Sequence, residues 1–197
     1  MGIHWSELHL LDRALLMMGV SMDAVRIAEL GAQTVGSEIS GAKIPGSEYF
    51  APRCVGHVSF DWSGRYGSEI VDLQTPVDEQ WKDQFDVVTN FGTGEHVGNQ
   101  YGLWANIYDM LVPGGAVVTA APLPGTWAGH CEWRYPPEFF EQMIPHPFSR
   151  LWVGYDDRRG VKRRMLQSIL ILDEKLGFLT PEEFSALPID RTPGDRR

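Results

Sequence analysis

One stretch of the chain, residues 85–121, constrains the fold more than any other. Its apolar runs and glycines divide it into a buried strand (85–90), a polar loop (91–97), a helix ending near Leu111, a turn (113–115) and a second buried strand (116–121). A strand–helix–strand unit of this kind places its two strands side by side and parallel. Parallel sheets bind ligands at the carboxyl ends of their strands, so the loop after the first strand is a candidate small-molecule site.

The hydrophobic pattern elsewhere predicts five more strands, over residues 25–30, 55–61, 69–71, 151–155 and 164–172. Turn-forming residues separate the last two, which indicates an antiparallel hairpin. Apolar residues at helical spacing predict a helix over residues 6–18, and further helices are expected to open at Pro136 and Thr180. The predicted fold is α/β: a doubly wound (Rossmann-like), mostly parallel seven-stranded sheet with a C-terminal antiparallel hairpin.

A chain of 197 residues suits one domain. We expect a single domain over residues 1–197, with an N-terminal helix in 1–20, a core over 25–173 and a C-terminal appendage over 174–197. Glycines and a proline interrupt residues 31–54, which predicts a short helix and an irregular loop there. The tail after Asp190 is expected to be loose.

Charge and composition exclude several classes of partner. With 17 basic and 26 acidic residues, the formal net charge is −9, which argues against binding along a nucleic-acid backbone. The basic cluster at residues 158–164 indicates a solvated hairpin tip, with an anion or nucleic-acid contact as the alternative. No apolar run approaches the ~20 residues of a membrane-spanning helix, and no signal peptide is evident. Cys54 and Cys131 form no Cys-x-x-Cys pair. We expect a cytosolic protein that acts on a small molecule, without a membrane or nucleic-acid partner.

Four predicted strands end in residues that can contact a ligand. In chain order these are Glu29, Gly31, Ala32 and Gln33, then Asp61 and Trp62, then Asp72 and Leu73, and finally Asn90 and Phe91. The glycine lets the backbone approach a ligand closely. Asn90 and Phe91 are expected near the middle of the crevice.

The two acids among these residues each have two interpretations. Asp61 can accept hydrogen bonds from both hydroxyls of a ribose, or it can bind the backbone of its own turn. Asp72 with Leu73 suits an adenine ring, and a solvated turn is the alternative. The coincidence of such residues at successive strand ends indicates an adenosine-containing ligand more strongly than any one of them does.

Together these residues resemble the motifs of the class I S-adenosylmethionine-dependent methyltransferases. Glu29-Leu30-Gly31 resembles the first motif of that family, Asp61 its ribose-binding acid and Asp72-Leu73 its adenine contact. Residues 85–88 with 95–97 resemble the fourth motif, and residues 111–116 resemble the turn before the fifth strand. The resemblance covers residues 25–143. It implies methyl transfer to a small-molecule acceptor, with S-adenosylmethionine bound by Glu29, Gly31, Ala32, Gln33, Asp61, Trp62, Asp72, Leu73, Asn90 and Phe91.

The chain departs from the family in its first glycine motif. The usual Gly-x-Gly-x-Gly is replaced by the run from Gly31 to Gly36, and Gln33 is expected to contact the cofactor through its amide instead. This departure supports a second hypothesis, a methyltransferase-like binding or scaffold protein without turnover. An NAD(P)-binding oxidoreductase is the third and weaker one, because the gap from Gly31 to Asp61 exceeds the ~20 residues of a dinucleotide-binding fingerprint.

Methyl transfer from a sulfonium is a direct displacement, so no fixed catalytic motif is expected. Glu95, His96 and His130 are the candidates for proton removal, since each falls on the ligand-side edge and a histidine titrates near neutrality. For Glu95 and His96, capping and orienting the following helix is the alternative. Trp127 and Tyr135 are expected to form a wall for the acceptor, or to pack the loop on the sheet.

No metal site is predicted, because the histidines and Cys131 show no spacing typical of metal ligands. The segment Gly92-Thr93-Gly94 lacks the lysine of a phosphate-binding loop, so nucleotide hydrolysis is not expected either.

Overall fold

Seven strands form the central sheet of the protein, whose computed structural model describes residues 2–157 and 160–192. They are β1 (Arg26–Leu30), β2 (Gly56–Asp61), β3 (Glu69–Ile70), β4 (Phe85–Phe91), β5 (Leu111–Pro122), β6 (Arg150–Asp156) and β7 (Met165–Ile171). Their order in the sheet is β3-β2-β1-β4-β5-β7-β6. Neighbours from β3 to β5 are parallel, and β7 is antiparallel to both β5 and β6. The predicted doubly wound sheet with its C-terminal hairpin is therefore confirmed.

The direction of travel across the sheet reverses between β1 and β4. Strands β1 to β3 progress outward to one side, and the chain then returns to place β4 against the other side of β1. Leu30 pairs with Phe60 and Glu29 with Thr89, so β1, β2 and β4 end close to one level. In open parallel sheets a crevice forms outside the strand ends at such a reversal.

Helices cover both faces of the sheet. They are α1 (Trp5–Met18), α2 (Ser37–Ser40), α3 (Gly46–Phe50), α4 (Gln100–Met110), α5 (Pro137–Glu141) and α6 (Pro181–Ser185). On one face, Leu11 of α1 and Phe50 of α3 share a core with Val118 of β5. On the other, α4, α5 and α6 enclose a second core around Trp104, which is fully buried. The sheet is thus the middle of three layers.

Short elements complete the fold. Residues 31–54 hold two short helices, α2 and α3, where one was predicted, together with two-residue strands and irregular structure. Single turns of 3₁₀-helix cover Met22–Ala24, Arg65–Gly67, Glu79–Trp81, Gly94–His96 and Val161–Arg163. Gly2–Ile3 and Ile44–Pro45 both pair with Thr34–Val35, and Trp133–Arg134 pairs with Asp190–Arg191. The last pairing ties the loop after β5 to the segment after α6.

The turn predicted at residues 113–115 lies within β5 and is an irregularity of the strand. Phe85 is opposite Leu111, whereas Val87 is opposite Ala116, so β5 contains extra residues relative to β4. Gly114 has a φ of +86° in this segment, a conformation that glycine adopts without steric strain. The structure therefore corrects the prediction: the glycines form a bulge, and the strand begins before them.

Other predicted features fall at the C-terminal end of the chain. Thr180 and Glu183 form the expected capping box of α6. In the basic cluster, residues 158 and 159 lie outside the described residues, and Nη2 of Arg164 donates to Asp157 at 2.9 Å. Residues 193–197 of the predicted loose tail also lie outside the described part. Within that part, no helix has both the length and the apolar character needed to cross a bilayer.

Candidate functional site

A cavity of about 410 Å³ opens at the carboxyl ends of β1, β2 and β4. Its volume falls within the range of about 300–1,000 Å³ that is usual for small-molecule sites. The lining consists of Gly31, Ala32, Gln33, Asp61, Trp62, Ser63, Arg65, Gly92, Thr93, His96 and Val97. Three loops that follow different strands therefore meet here. They bring together six of the residues singled out in the sequence: Gly31, Ala32, Gln33, Asp61, Trp62 and His96.

Gly31 ends β1 in a conformation that favours glycine. Its φ of +82° lies in the left-handed region. A Cβ added here would collide with Oγ1 of Thr93 and would lie 2.9 Å from Nε2 of Gln33. The Thr93 hydroxyl donates to the carbonyl oxygen of Leu30 at 2.7 Å and accepts from Nε2 of Gln33 at 3.0 Å. Because Gly31 has no side chain, the side chains of Thr93 and Gln33 can lie close to its backbone at the cavity.

Asp61 ties the loop after β1 to the loop after β2. Its Oδ2 accepts from the backbone N–H of Ala32 at 2.9 Å, and its Oδ1 accepts from the backbone N–H of Ser63 at 2.8 Å and from the Ser63 hydroxyl at 2.5 Å. Partial burial alone would raise the pKa of this carboxyl, but the hydrogen bonds and the charge of Arg65 lower the pKa below its ordinary value. Asp61 is therefore ionised at neutral pH. A carboxylate has about four acceptor positions, so Asp61 retains capacity for a ligand hydroxyl.

Gln33 and Trp62 each have a side-chain group at the cavity that can contact a ligand. Oε1 of Gln33 is buried and has no hydrogen-bond partner among the described residues. A buried amide oxygen normally has a donor, so this atom suits a ligand N–H. Trp62 is 82% exposed, and such a ring can stack on a flat heterocycle.

Glu29 lies behind the cavity lining and supports it. Its side chain is buried, with Oε1 accepting from the backbone N–H of Gln33 at 2.8 Å and Oε2 lying 2.8 Å from Nε2 of His57. Glu29 therefore holds the loop after β1 in place. Its direct contact with a cofactor stays a prediction.

Four other predicted cofactor residues are not among those that line the cavity. Oδ1 of Asn90 accepts from the backbone N–H of Gly94 at 2.8 Å, and Oδ1 of Asp72 accepts from that of Gln74 at 3.0 Å. For Asp72 this bond fits the solvated turn, the alternative to an adenine contact. Leu73 and Phe91 are buried in the two cores on opposite faces of the sheet. Contact of these four residues with a cofactor likewise stays a prediction.

Glu95, His96 and His130 converge next to the cavity. One ligand-type atom from each lies within 4.8 Å of the others. Nε2 of His96 is 3.9 Å from Oε1 of Glu95, and the two imidazole ring centroids are 5.0 Å apart, edge to face. Glu95 and His96 belong to the 3₁₀ turn Gly94–His96, whereas His130 lies in the loop after β5. The spacing of these residues in the sequence gave no metal motif, but the fold brings them together.

Burial dominates the electrostatics of this cluster. It raises the pKa of Glu95 to about 8 and lowers the pKa of His96 to about 4. It also lowers the pKa of His130. Both imidazoles are therefore neutral at pH 7, the form that accepts a proton or binds a metal.

The two predicted acceptor-side aromatic residues occupy different environments. Tyr135 is fully buried, donates to Oε1 of Gln100 at 2.5 Å and has its ring 5.0 Å from that of Phe139, as the packing alternative describes. Trp127 is half-buried, has a φ of +51° and places its ring 4.9 Å from that of His130. Trp127 thus adjoins the cluster, and the acceptor contacts of both residues stay predictions.

Several lining residues were not predicted from the sequence. Thr93 lies in the loop after β4, and Ser63 and Arg65 follow Asp61 closely. Their position just after strand ends was the available signal.

A second groove, of about 370 Å³, lies between α1 and the β6–β7 hairpin; Arg13 and Trp152 are among its lining residues. None of the predicted site residues lines it.

Comparison with known proteins identifies the fold. No family model matches this sequence, and no curated protein matches it. Among solved structures, the chain is similar to the N-methyltransferase NodS from Bradyrhizobium japonicum WM9 in complex with S-adenosyl-L-homocysteine. The TM-score is 0.59 at 16% identity, over 86% of each chain.

Two further solved structures have a similar fold. The 1,6-didemethyltoxoflavin-N1-methyltransferase from Burkholderia thailandensis, with bound 1,6-didemethyltoxoflavin and S-adenosylhomocysteine, gives a TM-score of 0.59 at 14% identity, over 86% of this chain and 79% of that one. A putative S-adenosylmethionine-dependent methyltransferase from Listeria monocytogenes gives 0.57 at 12% identity, over 85% and 98%. The chain therefore has the fold of the class I S-adenosylmethionine-dependent methyltransferases.

Proposed function

We propose that this protein binds S-adenosylmethionine and transfers its methyl group to a small-molecule acceptor. The observation that carries the proposal is the convergence of Gly31, Gln33, Asp61 and Trp62 at one cavity, where the sheet reverses between β1 and β4. Two methyltransferases of the same fold have S-adenosylhomocysteine bound, which supports a ligand of the same class here.

The residues at the cavity fit the parts of that cofactor. Asp61 would accept a hydrogen bond from a ribose hydroxyl, and the exposed ring of Trp62 would pack on the adenine. The buried Oε1 of Gln33 would accept from the ammonium group of the methionine part, which gives this oxygen its missing donor.

When bound, the cofactor would supply an electrophilic methyl group: as the acceptor atom bonds to the methyl carbon, the carbon–sulfur bond would break and leave its electron pair on sulfur. The residues of the chain then have to align the acceptor, exclude water and take up the proton that a protonated acceptor releases. His96 and His130 are neutral at pH 7 and can accept that proton. His96 also lines the cavity, so it is the nearer of the two candidates.

Calorimetry with S-adenosylhomocysteine tests the proposal on the wild type, on Asp61→Asn and on the control Asp12→Asn, which changes an exposed acid of α1. Hydrogen bonds to charged groups contribute about 1.5–3 kcal/mol each, so Asp61→Asn is expected to weaken binding by about tenfold or more. Asp12→Asn should bind as the wild type does. Equal affinity in the wild type and Asp61→Asn, or no heat from either, would remove the assignment.

A binding protein without turnover is the second candidate, and the position of Gly36 favours it. A Cβ at Gly36 would collide with the carboxylate of Glu38, so this glycine serves the start of α2 rather than an open ligand surface. Methyl transfer from S-adenosylmethionine to any member of a panel of phenols, amines and thiols would exclude this candidate. In either case we propose a cytosolic location and no nucleic-acid or membrane partner.

A further inference from the structure

Glu95 is the residue whose environment the proposed function leaves unexplained. Its side chain is fully buried, and neither carboxylate oxygen has a hydrogen-bond partner among the described residues. Burying a carboxyl group is unfavourable unless it is paired, hydrogen-bonded or bound to a metal. Two imidazoles, those of His96 and His130, approach it, and both are good metal ligands.

We propose that Glu95, His96 and His130 bind one divalent transition-metal ion, with Zn²⁺ as the first choice. Two imidazole nitrogens and one carboxylate oxygen form a ligand set typical of Zn²⁺ and of other first-row divalent metals. A tetrahedral Zn²⁺ ion at about 2.0–2.2 Å from such ligands holds them roughly 3.3–3.6 Å apart. The ligand atoms here lie within 4.8 Å of one another, so a small inward movement completes the site. The His96 side chain is 45% exposed and has room to make that movement.

Buried polar side chains fix the two backbone segments that carry the ligands. Asn90 accepts from the backbone N–H of Gly94, and Nε2 of Gln100 donates to the carbonyl oxygen of the same residue, both at 2.8 Å. Arg134, which is 3% exposed, donates through Nη2 to the carbonyl oxygen of Trp127 at 2.8 Å. The 3₁₀ turn is therefore held against β4 and α4, and the loop after β5 is braced internally. Supporting interactions of this kind position metal ligands in known sites.

Three protein ligands leave a zinc coordination position open. Because His96 also lines the cavity, that position would be close to the cofactor pocket. If the proposed function holds, the acceptor would then carry an oxygen or nitrogen that coordinates the metal, such as a phenol or another acidic hydroxyl group. A bound metal ion would lower the pKa of such a group and so favour its deprotonated, nucleophilic form. With the metal bound, the released proton would pass to solvent, because His96 and His130 would then be ligands and not proton acceptors. The metal site itself does not depend on the proposed function.

The test is a titration of the full chain, freed of metal with a chelator, with zinc chloride by calorimetry and with cobalt chloride by visible absorption. We expect one ion per chain and a cobalt spectrum of nitrogen and oxygen ligands. His96→Gln and His130→Gln should each raise the Kd about tenfold or more, since loss of a supporting residue alone weakens metal binding 10–100-fold. The control His146→Gln changes an exposed histidine and should leave the Kd unchanged.

Three results would overturn the metal site: no saturable binding, a Kd that neither His96→Gln nor His130→Gln changes, or loss of binding in Cys131→Ser. The last matters because Cys131 is the neighbour of His130 and would provide a thiolate ligand. Circular dichroism of each variant separates loss of ligands from loss of fold. Zinc binding without any binding of S-adenosylhomocysteine would retain the metal site and reject the proposed function.

Discussion

Replacing Gly31 with alanine tests the structural basis of the cavity. The alanine would have to adopt a φ of +82°, and a left-handed conformation costs a non-glycine residue about 1–2 kcal/mol. Its Cβ would also displace the Thr93 hydroxyl, which makes one hydrogen bond to Leu30 and one to Gln33. Each such bond contributes about 0.5–1.5 kcal/mol. Gly31→Ala should therefore lower the free energy of unfolding by about 2–5 kcal/mol.

Gly41→Ala is the matched control for this substitution. Gly41 has a φ of +78°, but a Cβ there would meet no atom within 4 Å. Only the backbone strain of about 1–2 kcal/mol is expected. Equilibrium unfolding in urea, with the slopes compared as well as the midpoints, measures both variants. The difference between the two losses of unfolding free energy measures the cost of the close approach of Thr93.

A double-mutant cycle with Thr93→Ala sharpens the test. Removing the hydroxyl also removes the atom with which the new Cβ collides, so Gly31→Ala should be less destabilising in the Thr93→Ala background. A coupling of about 0.5–3 kcal/mol is usual for residues in contact. If Gly31→Ala destabilises no more than Gly41→Ala, or if the cycle is additive, the close approach of Thr93 to Gly31 does not shape the cavity.

Three further predictions concern other residues of the site. Trp62→Ala should change the free energy of unfolding by less than about 0.5 kcal/mol, because the ring is exposed. It should weaken S-adenosylhomocysteine binding about 5- to 100-fold, because stacking on an aromatic ring contributes about 1–3 kcal/mol. A calorimetric Kd equal to that of the wild type would contradict the adenine contact. In chelator-treated protein, the pKa of Glu95 is raised from 4.5 to about 8, so the folded state binds more protons than the unfolded state between these pH values. Wild-type stability should then fall as the pH rises from about 5 to 8, by up to about 4 kcal/mol at ~1.36 kcal/mol per pH unit, whereas urea unfolding of Glu95→Gln should show no such fall. An equal pH dependence in both proteins would exclude Glu95 as its cause. His57→Leu leaves the buried Glu29 carboxylate without its imidazole partner. It should lower the free energy of unfolding by about 3–5 kcal/mol in the same assay. A loss below about 1 kcal/mol would show that the pair does not stabilise the fold.

The strands and their mostly parallel arrangement could be predicted because buried parallel strands appear in the sequence as continuous apolar runs, as in β4 and β5. Six of the cavity residues followed from their position just after strands that end at one edge. The extent of β5 was not predictable in the same way. Proline and two glycines at residues 113–115 are typical of a turn, and only the pairing with β4 shows that they form a bulge.

The orientation of side chains at the strand ends could not be read from the sequence. Alternate residues of a strand face opposite sides of the sheet, and the sequence does not say which side faces the ligand. Glu29 points to the buried face, where His57 of the neighbouring strand meets it. The meeting of His96 with His130 depends in turn on the path of the loop after β5, including the left-handed backbone of Trp127.

The loop after β1 is tied to its surroundings by side chains of three different strands or their loops. Glu29 holds the N–H of Gln33, Asp61 holds that of Ala32, and Thr93 holds the carbonyl oxygen of Leu30. A ligand that binds here meets a surface already in its final shape, so little conformational entropy is lost on binding. Hydrogen exchange of the Ala32 and Gln33 amides should therefore be slow in the free protein and should change little when a ligand occupies the cavity.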